Sequence, residues 1–201
     1  MRELVVGSTT VLIDTLTHTG HTGAPSPLII LAAARAMSVD VRDLVSSRRC
    51  AECSSTQHGQ PFVEFVDGSP CPCFVSFART VGAEAAAARS EGPVGIDVES
   101  RAVLSAHAVA DVLLHPDELA AIADLTPTEA DELIGGTWVA KEALVKATGH
   151  GLRLDPRGIR LRLGGDTATV ESWPAELGLR DTPRITLFPL TVDAVGAVAE
   201  L

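Results

Sequence analysis

Six residues, Val94-Gly95-Ile96-Asp97-Val98-Glu99, alternate strictly between branched apolar side chains and small or acidic ones. Side chains on a strand repeat every second residue. An extended conformation therefore sends Val94, Ile96 and Val98 to one face and Gly95, Asp97 and Glu99 to the other. The apolar face needs a core, while the opposite face holds two carboxylates close together. Like charges so placed repel unless a cation lies between them, and Mg²⁺ or Mn²⁺, which take oxygen ligands, relieve that repulsion. A second segment, Trp138-Val139-Ala140-Lys141-Glu142-Ala143-Leu144-Val145-Lys146, adds a third carboxylate and two lysines. On a helix Glu142 shares a face with Trp138 and Lys146, each four residues away. A solvated strand face and an exposed Glu–Lys pair are the plain alternatives for these residues. Taken together, three carboxylates with lysines suit phosphate chemistry.

The rest of the chain narrows the function classes. Its 201 residues can bury a full core as one domain or as two small halves in contact. A net charge of −10 leaves no basic stripe for nucleic acid, and an acidic surface does little for anionic membranes. Aromatic residues make up 3%, with no Tyr, so base-stacking platforms are not expected. No apolar run reaches the length of a membrane helix, and Met1 to Val6 lacks the pattern of a signal peptide. The expectation is a cytoplasmic protein with reduced cysteines. Cys50-x-x-Cys53 and Cys71-x-Cys73, with His58, could hold zinc, but the second spacing is tight and contains Pro72, which favours ordinary thiols. His18 and His21 lie in a polar stretch that reads as a surface loop.

Local patterns predict an α+β fold. Leu4–Val6 and Val11–Ile13 read as a strand pair, and Pro27 opens a helix from Leu28 to Met37. Pro61–Val66 and Phe74–Phe77 are extended, while Ala83–Ala88 fits either strand or helix. Ser90-Glu91-Gly92-Pro93 is a turn signal that divides the chain into halves, 1–92 and 93–201. Beyond the acidic strand, Ala106, Val109, Ala110, Leu113 and Leu114 keep helical spacing, and Pro116 starts a short helix to Ala123. Thr126-Pro127-Thr128-Glu129 is a capping-box start for a helix reaching Thr148, with Gly149 as its stop. Gly135-Gly136 inside it implies a break or close packing. Alternation at Ile159, Leu161 and Leu163, followed by Thr167–Trp173, Ile185–Leu190 and Val192–Ala199, completes an antiparallel sheet.

The motifs resemble those of the 4′-phosphopantetheinyl transferases of the surfactin-synthetase-activating type. That family carries a Gly-(Ile/Val)-Asp-(Val/Ile)-Glu strand, here 95–99. A Trp-x-x-Lys-Glu-(Ala/Ser)-x-x-Lys helix follows, here 138–146, and then Gly-x-Gly-Leu, here 149–152. Weaker likeness extends to Cys50-x-x-Cys53, His58-Gly59-Gln60-Pro61, Phe74 to Thr80, and Arg35 in its alanine-rich helix. The resemblance thus covers roughly residues 30 to 155.

It implies two similar α+β halves, each a small antiparallel sheet packed with a long helix, with coenzyme A and Mg²⁺ in the cleft between them. Asp97, Glu99 and Glu142 would hold the metal, with Mn²⁺ as a substitute. Lys146 and Lys141 would contact the coenzyme, and Arg35, His58, Gln60, Ser76 and Arg79 would form its nucleotide end. Glu142, directly or through a metal-bound water, would accept the serine proton, with Glu118 as the other candidate. The implied reaction moves the 4′-phosphopantetheine arm onto a serine of an acyl or peptidyl carrier domain and releases adenosine 3′,5′-bisphosphate. The alternative is a catalytically weak relative that binds a carrier or coenzyme A as a regulator. Two departures stand out: Arg79 replaces the usual histidine, and Gln60 the usual lysine. A monomer is expected, docking its carrier through an apolar patch around Leu113 and Leu114.

Overall fold

The computed structural model describes residues 1–15, 26–50, 53–56, 58–100, 109–150 and 154–201. The His18–His21 stretch, Ala106 and the Gly151-Leu152 end of the glycine motif lie outside these. The first sheet has the order β1-β2-β6-β5, formed by β1 (Arg2–Val6), β2 (Thr9–Thr15), β5 (Phe74–Thr80) and β6 (Ala83–Arg89). The second has the order β7-β11-β10-β9-β8: β7 (Val94–Ser100), β8 (Arg160–Gly164), β9 (Thr167–Ser172), β10 (Arg184–Thr191) and β11 (Ala194–Glu200). A separate hairpin pairs β3 (Leu44–Arg49) with β4 (Gln60–Phe65). Every strand pair within these sheets is antiparallel. With the helices this is the α+β class that the local patterns predict.

The helix α1 (Pro27–Met37) begins at Ser26, whose hydroxyl accepts from the Leu28 N–H. It packs Leu28, Ile29, Ala32 and Ala33 against Leu12, Ala86 and Ala88 of the first sheet. The other face of β6 sends Ala83, Ala85 and Ala87 into a core shared with Val94, Ile96 and Val98 of β7. A strand buried on both faces shows no polar alternation, and alanine has no strand preference. That is why 83–88 could be read either way. Strand β3 escapes the sequence reading because Ser46, Ser47, Arg48 and Arg49 mask its pairing.

Helices α2 (Ala110–Leu113), α3 (Pro116–Ile122) and α4 (Pro127–Thr148) follow β7. Thr126 and Glu129 form the capping box of α4, and Gly149 closes it with a φ of 74°. The helix runs unbroken through its two glycines. A Cβ at Gly136 would stand 2.8 Å from Leu163 Cδ1, so this glycine marks close packing on the sheet. Leu113 and Leu114 are each 2% exposed and form a small core with Ala110 and Ile134. Burial therefore rules them out as an exposed docking patch. Among the described residues no helix is long and apolar enough to cross a membrane.

The two sheets meet at edge strands β5 and β7 through side chains. Ser76 Oγ accepts from the Ile96 N–H and Thr80 Oγ1 from the Ser100 N–H, both at 3.0 Å. The equal spacing on both strands makes them run in the same direction. Unpaired edge groups find partners without a continuous ladder.

Candidate functional site

The acidic site forms where β7 lies on α4, and Gly95 permits that contact. A Cβ there would fall 1.9 Å from the Ala143 carbonyl oxygen and 2.5 Å from the Ala147 nitrogen. With strand and helix so close, the face of β7 that carries Asp97 and Glu99 meets the face of α4 that carries Glu142 and Lys146. Alternation divided the strand as expected, but the acidic face is covered rather than solvated, and Asp97 is only 5% exposed.

Lys146 Nζ donates to Asp97 Oδ1 at 2.6 Å and to the Ile96 carbonyl at 3.1 Å. Asp97 Oδ2 is buried without a hydrogen-bond partner. Glu99 Oε2 accepts from Thr80 Oγ1 at 3.1 Å, so a residue of the first sheet reaches the site. No sequence signal singled out Thr80, because its role depends on the edge-to-edge meeting of β5 and β7. Burial pushes the carboxyl of Asp97 above its ordinary range, against the pull of Lys146. Burial and then the Asp97 charge push Glu99 and Glu142 up too. One ammonium does not neutralise three partly buried carboxylates. The donor set is three hard oxygens with one buried oxygen unused, which fits Mg²⁺ or Mn²⁺.

Lys141 and Glu118 sit elsewhere. Lys141 is 1% exposed, and its Nζ donates to Glu118 Oε2 at 2.6 Å and to the Leu113 carbonyl at 2.9 Å. Glu118 also accepts from the Leu161 N–H at 2.6 Å and the His115 N–H at 2.7 Å. These bonds tie α4 to α2, α3 and the start of β8. A buried ion pair with every oxygen occupied is an internal brace.

The expected nucleotide contacts are also dispersed. Ser76 is buried with its hydroxyl on Ile96. Arg79 donates from Nε and Nη2 to Glu84 Oε2 at 3.1 and 2.7 Å, and its guanidinium stacks 5.4 Å from the Phe77 ring centroid. Arg35 pairs with Glu3 at 2.9 Å. His58 Nε2 lies 3.5 Å from Cys53 Sγ. Gln60 approaches the end of the helix of the acidic site: a Cβ at Gly149 would be 3.6 Å from its Oε1.

A search of the curated proteins finds no match. Among the solved structures that are similar to parts of the chain are three synthases. The holo-[acyl-carrier-protein] synthase of Thermotoga maritima is 22% identical, with a TM-score of 0.45, over 53% of this chain and 61% of that one. The holo-ACP synthase of Plasmodium yoelii is 20% identical, with a TM-score of 0.41, over 53% and 91%. The holo-[acyl-carrier-protein] synthase of Neisseria meningitidis is 26% identical, with a TM-score of 0.43, over 54% and 98%. Residues 93–180, which contain Asp97, Glu99, Glu142 and Lys146, match the model of the 4′-phosphopantetheinyl transferase superfamily.

Proposed function

We propose that this chain is a 4′-phosphopantetheinyl transferase of the surfactin-synthetase-activating type. It moves the phosphopantetheine arm of coenzyme A to a serine of an acyl or peptidyl carrier protein. The observation that carries the reading is the burial of Asp97 against Lys146, with Asp97 Oδ2 unused and with Glu99 and Glu142 near enough to feel the Asp97 charge. The match of residues 93–180 supports it.

In the reaction the serine oxygen forms a bond to the phosphorus that carries the pantetheine arm. The pyrophosphate bridge breaks, and adenosine 3′,5′-bisphosphate departs with the bridging oxygen. Asp97, Glu99 and Glu142 would hold Mg²⁺, or Mn²⁺, which when bound neutralises the pyrophosphate oxygens. Glu142, or a water that it orients, accepts the serine proton. Glu118 is the poorer base because both its oxygens already accept hydrogen bonds. Lys146 supplies a fixed positive charge beside the phosphates.

Residues 1–92 contribute the coenzyme's nucleotide contacts and residues 93–201 the metal and proton chemistry. The protein acts as a cytoplasmic monomer serving carriers of fatty-acid, polyketide or nonribosomal-peptide type. The test incubates the chain with apo carriers of fatty-acid, polyketide and peptidyl type, coenzyme A and Mg²⁺. Intact-mass spectrometry should show one phosphopantetheine added to at least one carrier, and none with Asp97→Asn or Glu142→Gln. A folded wild-type protein that modifies no carrier overturns the assignment.

A further inference from the structure

The loop joining β3 to β4 gathers a side-chain cluster that the transferase reading leaves unused. Arg49 pairs with Gln60 as the last rung of the hairpin, so Cys50 and Gly59 leave the ladder side by side. Gly59 has a φ of 104°, and a Cβ there would stand 2.3 Å from the Arg49 carbonyl oxygen; only glycine lets the chain return this closely. Ser54, directly after Cys53, takes a left-handed φ of 55°, and its N–H donates to the Cys50 carbonyl at 3.0 Å. The two turns fold the loop over itself. Cys53 Sγ then lies 3.5 Å from His58 Nε2, and the ligand atoms of Cys50, Cys53 and His58 are all within 4.8 Å of one another. Among the described residues no other group of three metal-ligating side chains is drawn together so closely.

We propose that Cys50, Cys53 and His58 bind a zinc ion that clamps this loop. Two sulfurs and an imidazole select Zn²⁺ over the hard cations suited to the acidic site. Zn–S bonds of ~2.3 Å and Zn–N bonds of ~2.0–2.1 Å at the tetrahedral angle set an S···N edge of about 3.6 Å. The Cys53–His58 separation of 3.5 Å matches that edge. A thiol–imidazole hydrogen bond needs one sulfur, whereas here two sulfurs converge on one histidine. The described loop residues Cys53, Ser54, Ser55, Thr56, His58 and Gly59 include no large apolar side chain to build a core. Metal coordination supplies the ordering energy that packing cannot.

Cys71 and Cys73 are not part of the site. They pack against the core beneath α1, and burial pushes the Cys73 thiol up to about 12, which keeps it protonated. The clamp takes the His58 ring nitrogen away from any phosphate. It also pins the segment leading to Gln60, which approaches Gly149 at the end of α4.

The inference stands apart from the transferase assignment, and its test reads metal, not activity. The full chain is purified under reducing conditions, its zinc measured by elemental mass spectrometry, and the ion replaced by Co²⁺. About one zinc per chain is expected, and the Co²⁺ form should show thiolate charge-transfer and tetrahedral d–d absorption. Cys53 and His58 are exposed, so Cys53→Ser and His58→Ala should keep the fold by circular dichroism yet lose the metal. Asp97→Asn and the Cys71→Ser/Cys73→Ser double variant should keep it. The proposal is overturned by a metal-free wild-type chain, by zinc that survives Cys53→Ser and His58→Ala, by zinc lost with Asp97→Asn, or by a Cys50–Cys53 disulfide in its place.

Discussion

Replacing Gly95 with alanine should prise β7 from α4. The new methyl carbon would lie 1.9 Å from the Ala143 carbonyl oxygen and 2.5 Å from the Ala147 nitrogen. Both are backbone atoms within a helix, so no rotamer change relieves the clash. Real Cβ contacts essentially never fall under 3.0 Å, so strand and helix must part by about 1.1 Å. Overpacking a core costs ~1–3 kcal/mol, and a rigid backbone contact belongs at the upper end, about 3 kcal/mol. The same movement stretches the 2.6 Å bond between Lys146 and Asp97 beyond hydrogen-bonding range. A misplacement of ~1 Å in catalytic geometry can cost about 100-fold in rate. Urea unfolding followed by fluorescence of Trp138 and Trp173, both packed on the core, should show a lower midpoint with an unchanged slope. Carrier modification should slow about 100-fold. A variant within about 0.5 kcal/mol of wild type, with an unaltered transfer rate, would refute the role assigned to this glycine.

Glu118→Ala strands the Lys141 ammonium and the N–H groups of Leu161 and His115. Breaking a buried pair from one side costs ~3–5 kcal/mol, so thermal unfolding should shift sharply, and less for Glu118→Gln. A wild-type melting temperature for Glu118→Ala would show that the brace carries no stability. Stability should also depend on pH through the acidic site. Burial raises the carboxyls of Asp97, Glu99 and Glu142, so the folded state holds their protons more tightly than the unfolded chain. Their ionisation then opposes folding above the raised values, and the penalty disappears below the ordinary carboxylate range near ~4. In chelator the urea midpoint should rise from this cause as pH falls from about 7 toward about 4, less so in Glu142→Gln, and Mg²⁺ should flatten the difference. Identical profiles for wild type and Glu142→Gln would contradict this account.

Local chemistry made much of the fold readable. The Thr126–Glu129 box and Gly149 bound α4, and the alternation at 94–99 assigned each face of β7, because caps and side-chain period act over a few residues. The grouping of Asp97, Glu99 and Glu142 was expected from their motifs, and the structure brings those elements together through the close approach at Gly95. Other residues in the same motifs part company. Lys141 and Glu142 are adjacent in sequence, but successive helical side chains point about 100° apart. One therefore turns into the brace with Glu118 while the other faces Asp97. Ser76, Arg79 and Thr80 lie within one strand: Ser76 and Thr80 are committed by partners distant in the chain, Ile96 and Glu99, and Arg79 by Glu84 across the adjoining hairpin.

Residue type and spacing thus settle which elements form, where they stop and which faces carry charge. Which charges pair is decided when the elements pack. Burial of Asp97 and Lys141 and the seam between β5 and β7 depend on contacts between segments far apart in the chain. The free energy of a buried charge is set by the partners that replace its water, and no local pattern of residues specifies those partners.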